Sequence, residues 1–239
     1  MIEWELTLAE QWERTMSRRR ILPLRPGSPI AIKRDVHSFA VNASASELAQ
    51  AFAHAMADPA RSFGLVRVRR TRERSGQPFV VGDRFQGRFS MLQAVLEALP
   101  PRRRLRGLEQ LAQRAAWTAP LRMATHLVED RLTSDYGEVV EINLNAPPYG
   151  LRYVYLDGSY IAGGSSISIE QVSSSSCRAV QVFEYQELRL PYVMWLGTSV
   201  LPMHYAVVYS QISQAAELAG ARVTDCDVPR EYLRAVTSS

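Results

Sequence analysis

Between Val36 and Leu188 apolar residues keep returning at every second position, and after residue 200 they return at steps of three and four. That single change of period restricts the fold more than any other feature, because period two belongs to strands and period 3.6 to helices. The alternating runs are Val36 to Val41, Leu65-Val-Arg-Val-Arg-Arg70, Val80 to Phe89, and then roughly 123–132, 137–145, 150–157, 160–172 and 178–188. Short polar or proline-bearing breaks separate them: Ser75-Gly76, Pro147-Pro148, Gly158 and Ser173 to Ser176. Breaks this short join antiparallel neighbours, since a parallel pair needs a crossover of a dozen residues or more. The closing segment places Leu201, Tyr205, Val208, Ile212 and Ala215 on one face, with Pro202 as an early helical residue and Gly220 as the stop. A twisted antiparallel sheet followed by one such helix buries its inner face by curving around it. The expected class is α+β, a curved antiparallel sheet around a C-terminal helix.

Other segments decorate this plan. Thr7-Leu-Ala-Glu10 has the form of a capping box and is followed by Leu8, Trp12 and Met16 at spacings of four, which predicts a short N-terminal amphipathic helix. Pro23, Pro26, Gly27 and Pro29 then predict a surface linker, so residues 1–34 read as an extension. Ser44 and Glu47 cap a helix whose buried face is Leu48, Phe52 and Met56; Asp58-Pro59 opens a second short helix that Gly64 ends. Residues 91–122 break the strand pattern and predict a helical insertion, with Leu92, Val95, Leu96 and Leu99 in one helix and Leu105, Leu108, Ala112 and Ala115 in another. Residues 35–220 form the main domain and 221–239 a tail.

At 239 residues and 46% hydrophobic, the chain can bury one substantial core. No apolar run is long enough for a membrane span and the start lacks the pattern of a signal peptide, so a cytoplasmic protein is expected. Cys177 and Cys226 provide neither a disulfide framework nor a zinc site, and no metal is expected. The net charge of +4 comes from arginine, with Lys33 the only lysine, a skew that reflects coding composition rather than phosphate binding. Arginine runs at 18–20, 67–74 and 102–106 sit beside helix ends or hairpins, where solvated charge is ordinary; nucleic acid is not an expected partner.

Three stretches resemble the START/Bet v 1-like superfamily, which includes polyketide cyclases and aromatases, lipid-transfer domains and plant hormone receptors. They are Val41-Asn-Ala-Ser-Ala-Ser-Glu-Leu-Ala-Gln-Ala-Phe52 leading to Asp58-Pro59, Val81-Gly-Asp-Arg-Phe85, and Val140-Glu141 through Pro147-Pro148 to Leu151-Arg-Tyr153. The resemblance covers about residues 35–220 and implies a helix-grip fold with an apolar cavity between sheet and helix. The N-terminal 34 residues and the helical insertion depart from the pattern; the insertion would serve as a lid or as an oligomer contact such as a homodimer interface. The family has no universal catalytic residue to carry over and no cofactor is implied, so site residues follow from strand parity alone.

If Phe85 and Phe89 face inward, Tyr153, Tyr155, Phe183 and Tyr185 join them on the concave surface, facing Tyr205 and Val208 of the helix. Rings of this kind more often just fill a core, but buried phenols also orient a mainly apolar ligand. Glu141, Asn143 and Asn145 share a face opposite Val140, Ile142 and Leu144, and one choice of parity sends Glu141 and Asn143 into the pocket. A desolvated Glu141 or Glu184 would serve as a general acid or base. His204, at the start of the helix, has an ordinary pKa suited to proton transfer at neutral pH. Asp83 and Asp157 lie near turns and are read as backbone partners. His54 and His126 accompany no nucleophile motif.

These readings converge on a cyclase or cyclase/dehydratase with Glu141, Tyr155 and His204 as catalytic candidates and a hydrophobic small molecule as substrate. Its main rival is a non-catalytic carrier of a lipid or similar ligand, and a third possibility is an interaction module with a solid interior.

Overall fold

The computed structural model describes residues 2–58, 62–63, 66–70, 75–89, 134–187 and 200–227. The expected helical insertion and the strand read at 123–132 lie outside these residues. Within them the element order is α1 (Ile2–Arg18), β1 (Lys33–Val41), α2 (Ala45–Ala57), β2 (Ser62–Phe63), β3 (Val66–Arg70), β4 (Arg84–Phe89), β5 (Ser134–Asn143), β6 (Tyr149–Tyr155), β7 (Ile161–Ser173), β8 (Ser176–Glu187), α3 (Val200–Leu218) and β9 (Val223–Cys226). The nine strands form one sheet in the order β2-β3-β4-β5-β6-β7-β8-β1-β9. Every pairing is antiparallel, including β1–β8, β1–β9 and β4–β5, which no short break joins.

Curvature follows from what α3 touches. It contacts β2 and β9, the two ends of the strand order. Laid flat, nine strands would hold those edges about 38 Å apart, far more than the roughly 10–12 Å width of a helix. The sheet therefore bends around α3, with α2 packed beside the helix in the same concavity.

Local chemistry explains most element ends. Ser44 accepts from the Glu47 amide while the Glu47 carboxylate accepts from the Ser44 amide, so the capping box that opens α2 is complete. Gly220 takes φ +69° after α3, and the Ala221 amide reaches back to the Ala216 carbonyl at 2.8 Å, closing the helix as a left-handed cap does. Other ends differ from expectation. α1 begins before Thr7, so Thr7 to Glu10 lies inside the helix rather than at its start. Ser62–Phe63 pairs with β3, in a stretch read as the end of a helix. Residues 80–83 form a turn ahead of β4, because the Asp83 carboxylate accepts from the Val80 amide at 2.9 Å. The stretch read as a tail returns to the sheet as β9 on β1.

The concave face carries the odd positions of β8 and the residues aligned with them, and its core falls into two clusters. One packs α2 and α3 against Phe39, Val41, Val139, Leu151, Ile167 and Ala179; the other holds Tyr155, Ile161, Phe183 and Tyr185. The convex face is not the wet side that β4 parity suggests. There Trp12 Nε1 donates to Gln86 Oε1 at 3.0 Å and Met16 is 2% exposed, so α1 covers part of the outer surface.

Candidate functional site

The register brings six strands' worth of side chains into line. Phe85 lies opposite Gly137, and Gly137 opposite Tyr155. The next rank runs Val139, Tyr153, Ser165, Phe183, Asp35, from β5 across to β1. Below it stand Leu151, Ile167, Gln181 and His37. Rings touch in a continuous series: Phe79 to Phe85 at 5.9 Å, Phe85 to Tyr153 at 5.3 Å, Tyr153 to Tyr155 at 5.7 Å and Tyr155 to Phe183 at 6.2 Å between centroids. Phe183 stacks on Tyr185 at 4.2 Å and on the imidazole of His204 at 3.7 Å. Edge-to-face and offset contacts of this kind are the favoured aromatic geometries.

Polar atoms are threaded through the rings. Tyr153 hydrogen-bonds to Tyr155 and Ser165. The Gln181 amide nitrogen meets Ser165 Oγ at 2.7 Å and His204 Nε2 at 2.5 Å. A chain of polar groups thus crosses three strands and ends on α3. At the other end lies Asp135, on the same face as Gly137, with Oδ1 accepting from the Tyr160 amide at 2.9 Å. Asp135 keeps some solvent contact, yet the dense surroundings of its carboxyl push it up to about 6, against the lowering effect of that hydrogen bond.

Burial sets the other groups in the opposite sense for proton transfer. It lowers His204 to about 3, with His37 adding to the effect, so the imidazole is neutral at pH 7 and its Nε2 accepts from the Gln181 amide. The expectation that His204 would titrate near neutrality is therefore corrected by desolvation. Tyr155 is raised well above the usual phenol range, by burial first and then by Tyr153 and Asp135, which keeps it a hydrogen-bond donor.

Of the residues singled out from sequence, Phe85, Tyr153, Tyr155, Phe183, Tyr185 and His204 come together here, and Tyr205 and Val208 are buried on α3. The Phe89 side chain lies outside the described residues. Glu141 and Asn143 do not reach the site: both are exposed, and Asn143 donates to the Pro148 carbonyl at 3.0 Å. A register irregularity between Val139 and Glu141 resets the parity, so that Asp135, Gly137 and Val139 face inward before it and Ile142 pairs with Leu151 after it. Glu184 is likewise exposed, beside Arg34 at 3.4 Å. His54 is exposed on α2, and His126 lies outside the described residues.

Sequence reasoning missed Asp135, Ser165, Gln181 and His37. The one available signal was alternation continued backwards from Val139 to Asp135, which the turn-like Ser134-Asp-Tyr-Gly137 disguises. Among the described residues no three His, Cys, Asp or Glu side chains gather as a metal site, and no helix is long and apolar enough to cross a membrane.

No protein-family model and no curated protein sequence matches the chain. Solved structures do align with it. A point mutant of norcoclaurine synthase from Thalictrum flavum, in complex with a transition state analogue, aligns at 12% identity and TM-score 0.44 over 80% of this chain and 98% of that one. The same enzyme in complex with dopamine and hydroxybenzaldehyde aligns at 12% identity and TM-score 0.43, over 83% and 97%. The Zhui aromatase/cyclase of a Streptomyces species aligns at 9% identity and TM-score 0.43, over 79% and 92%.

Proposed function

We propose that the protein is a cyclase or cyclase/dehydratase that holds a polyketide-like substrate between the aromatic end of the concave face and the start of α3. The observation that carries this reading is Asp135, a carboxyl near pKa 6 beside a row of phenols. A base of that strength is half-ionised close to neutral pH, which suits removal of a proton next to a carbonyl. In the proposed step the Asp135 carboxylate takes the α-proton while the Tyr155 hydroxyl donates to the carbonyl oxygen. The enolate carbon then bonds to a second carbonyl carbon of the same chain, whose oxygen takes the proton held by Asp135, which restores the carboxylate; loss of water follows where the product aromatises. His204, neutral and stacked on Phe183, positions Gln181 and the ring wall rather than moving protons. Confinement of a flexible chain near its closing geometry contributes much of the rate.

The test is turnover of a linear poly-β-ketone thioester. Asp135→Asn should lower kcat by about 10²-fold or more, the usual scale for a general base, and should remove a rising limb of the pH profile near 6. Tyr155→Phe should lower kcat less. Unchanged turnover in Asp135→Asn would end the proposal.

One observation favours the second reading, a non-catalytic carrier of hydrophobic small molecules: at neutral pH His204 and the phenols can only hydrogen-bond. A ligand found by native mass spectrometry of the purified protein, together with no turnover in the wild type, would decide for the carrier.

A further inference from the structure

The inner end of the polar chain is a side-chain amide. Gln181 is 1% exposed; its Nε2 meets Ser165 Oγ at 2.7 Å and His204 Nε2 at 2.5 Å, while its Oε1 has no partner. An amide nitrogen carries two hydrogens and accepts nothing. In this orientation both hydrogens are used and a single carbonyl oxygen is left over. Turned over, the amide would bury two unpaired N–H bonds instead, which native structures avoid, and His204 would have to carry its proton on Nε2.

Ser165 pairs with Tyr153 across β6 and β7, and the Tyr153 and Tyr155 rings meet edge to face at 5.7 Å. Tyr153 hydrogen-bonds to both neighbours. Ser165 accepts from Gln181 and so has its own hydrogen to give to Tyr153; the opposite sense would leave that hydrogen without an acceptor in a residue 3% exposed. The bond between the phenols favours the neutral form of Tyr155 and the ionised form of Tyr153, which marks Tyr155 as its donor. Two donors thus converge on the Tyr153 oxygen, and the Tyr153 hydrogen is spent on neither.

We propose that Tyr153 is a further catalytic residue, whose hydroxyl donates to the carbonyl oxygen under attack, and that Gln181 is the positioning residue that fixes its direction through Ser165. This deepens the function proposed above and rests on the reading that a guest lies against these rings. Tyr155 serves the carbonyl that is enolised, and its bond to Tyr153 gives way when that carbonyl arrives. The Ser165 bond remains, so Tyr153 keeps its sense. As the new carbon–carbon bond forms, charge gathers on the attacked oxygen, and a hydrogen bond to an ionised acceptor is about twice as strong as one to a neutral acceptor. Tyr153 keeps its proton, because burial raises the phenol above its usual range, and the alkoxide takes the proton held by Asp135. The substrate class is then a chain with two carbonyls near enough to meet Tyr155 and Tyr153 together.

2-Acetylnaphthalene and 2-ethylnaphthalene differ in one carbonyl oxygen, and their binding to the full chain carrying Tyr155→Phe isolates Tyr153 as the donor. The ketone should bind about tenfold more tightly, the worth of one hydrogen bond, and its infrared carbonyl band should lie below that of the ketone in hexane. Adding Tyr153→Phe should remove both effects. Adding Gln181→Glu should remove them with Tyr153 intact: an ionised carboxylate offers no hydrogen and a protonated one gives its single hydrogen to His204, so Ser165 turns to the carboxyl group and Tyr153 to Ser165. Gln181→Met, which neither gives nor takes, should split the carbonyl band in two. With the poly-β-ketone thioester, Tyr153→Phe alone should lower kcat at least about tenfold. Equal affinity for the two probes in Tyr155→Phe, or a preference and a band that stay unchanged in the Gln181 variants, would overturn the proposal. Discrimination that follows Gln181 without any turnover sinks the cyclase alone, and turnover that depends on Asp135 but ignores Tyr153 sinks this proposal alone.

Discussion

Gly137 shows how one missing methyl group shapes the site. It sits opposite Phe85 in the β4–β5 pairing, and a Cβ built there would clash with the tip of the Phe85 ring. The ring lies over bare backbone and from there reaches Phe79 and Tyr153. Backbone angles do not require glycine at this position, so the constraint is steric. Gly137→Ala should displace Phe85, break the aromatic row and cost roughly 1–3 kcal/mol, the scale of overpacking, measured as a lower urea midpoint. Asp135 makes a second prediction, about pH. Its carboxyl is raised from 3.8 to about 6 in the folded chain, so between those values the folded state binds more protons than the unfolded one. Stability conferred by this group is then complete below pH 4 and is lost as pH rises toward 6. Urea midpoints taken from pH 4 to 7 should fall through that window relative to those of Asp135→Asn; parallel curves would show that the carboxyl is not perturbed. Neither residue stands out in the sequence, because the importance of Gly137 depends on a ring 52 positions away in the numbering, and Ser134-Asp-Tyr-Gly137 reads as a turn.

At the scale of elements, period was legible and phase was not. Alternation identified β1 and β3 to β8, since a strand half buried on one face cannot hide its period. Which residues face inward depends on register, and the irregularity after Val139 shifts it within one strand, which turns Glu141 and Asn143 outward. Parity counted from either end of such a strand fails on the other side of the irregularity. The β3–β4 hairpin shows a similar limit for charge. Arg70 belongs to an arginine run that reads as solvated, yet it is 9% exposed, with Nη2 2.5 Å from Asp83 Oδ2 and its guanidinium 3.8 Å from the Phe79 ring centroid. Asp83 also holds the Val80 amide, so the pair ties the turn to the start of the aromatic row. Asp83→Ala should cost about 3 kcal/mol, because it takes the counter-ion from a buried guanidinium and leaves it the carbonyls of Gln77 and Pro78. Adding Arg70→Met should recover part of that loss. A double-mutant cycle by urea denaturation measures the coupling, and simple additivity of the two losses would refute it.

For the whole molecule, the antiparallel character of the sheet was readable because short breaks force antiparallel neighbours, whereas the strand order, with β1 between β8 and β9, was not. The role of residues 1–32 was not readable, because what they bind is polar. Gln86 and Gln186 lie on the sheet face that alternation marks as wet, yet each is 1% exposed. Gln86 is covered by Trp12, and Gln186 receives the Arg25 amide and donates to the carbonyls of Arg25 and Ile30. Arg84 donates to the carbonyls of Met16 and Arg19. Between these points the linker enters the sheet where β6 and β7 part: the Leu22 amide donates to the Tyr155 carbonyl, and the Leu22 carbonyl accepts from the Gly163 amide at 3.1 Å. Gly163 adopts φ +106°, and a side chain there would strike the Glu184 carbonyl and Leu24. The extension thus backs the same strands that carry Tyr155 and Tyr185 on their inner face. Removing residues 1–32 would expose the surface under Met16, worth about 1.5–3 kcal/mol in lost burial, and would take Trp12 from Gln86, which keeps Ser134, and the Arg25 and Ile30 backbone from Gln186, at about 1 kcal/mol each. A chain beginning at Lys33 should therefore lose at least about 3 kcal/mol in urea unfolding. Full stability in the shortened chain would show that the extension merely lies on the sheet.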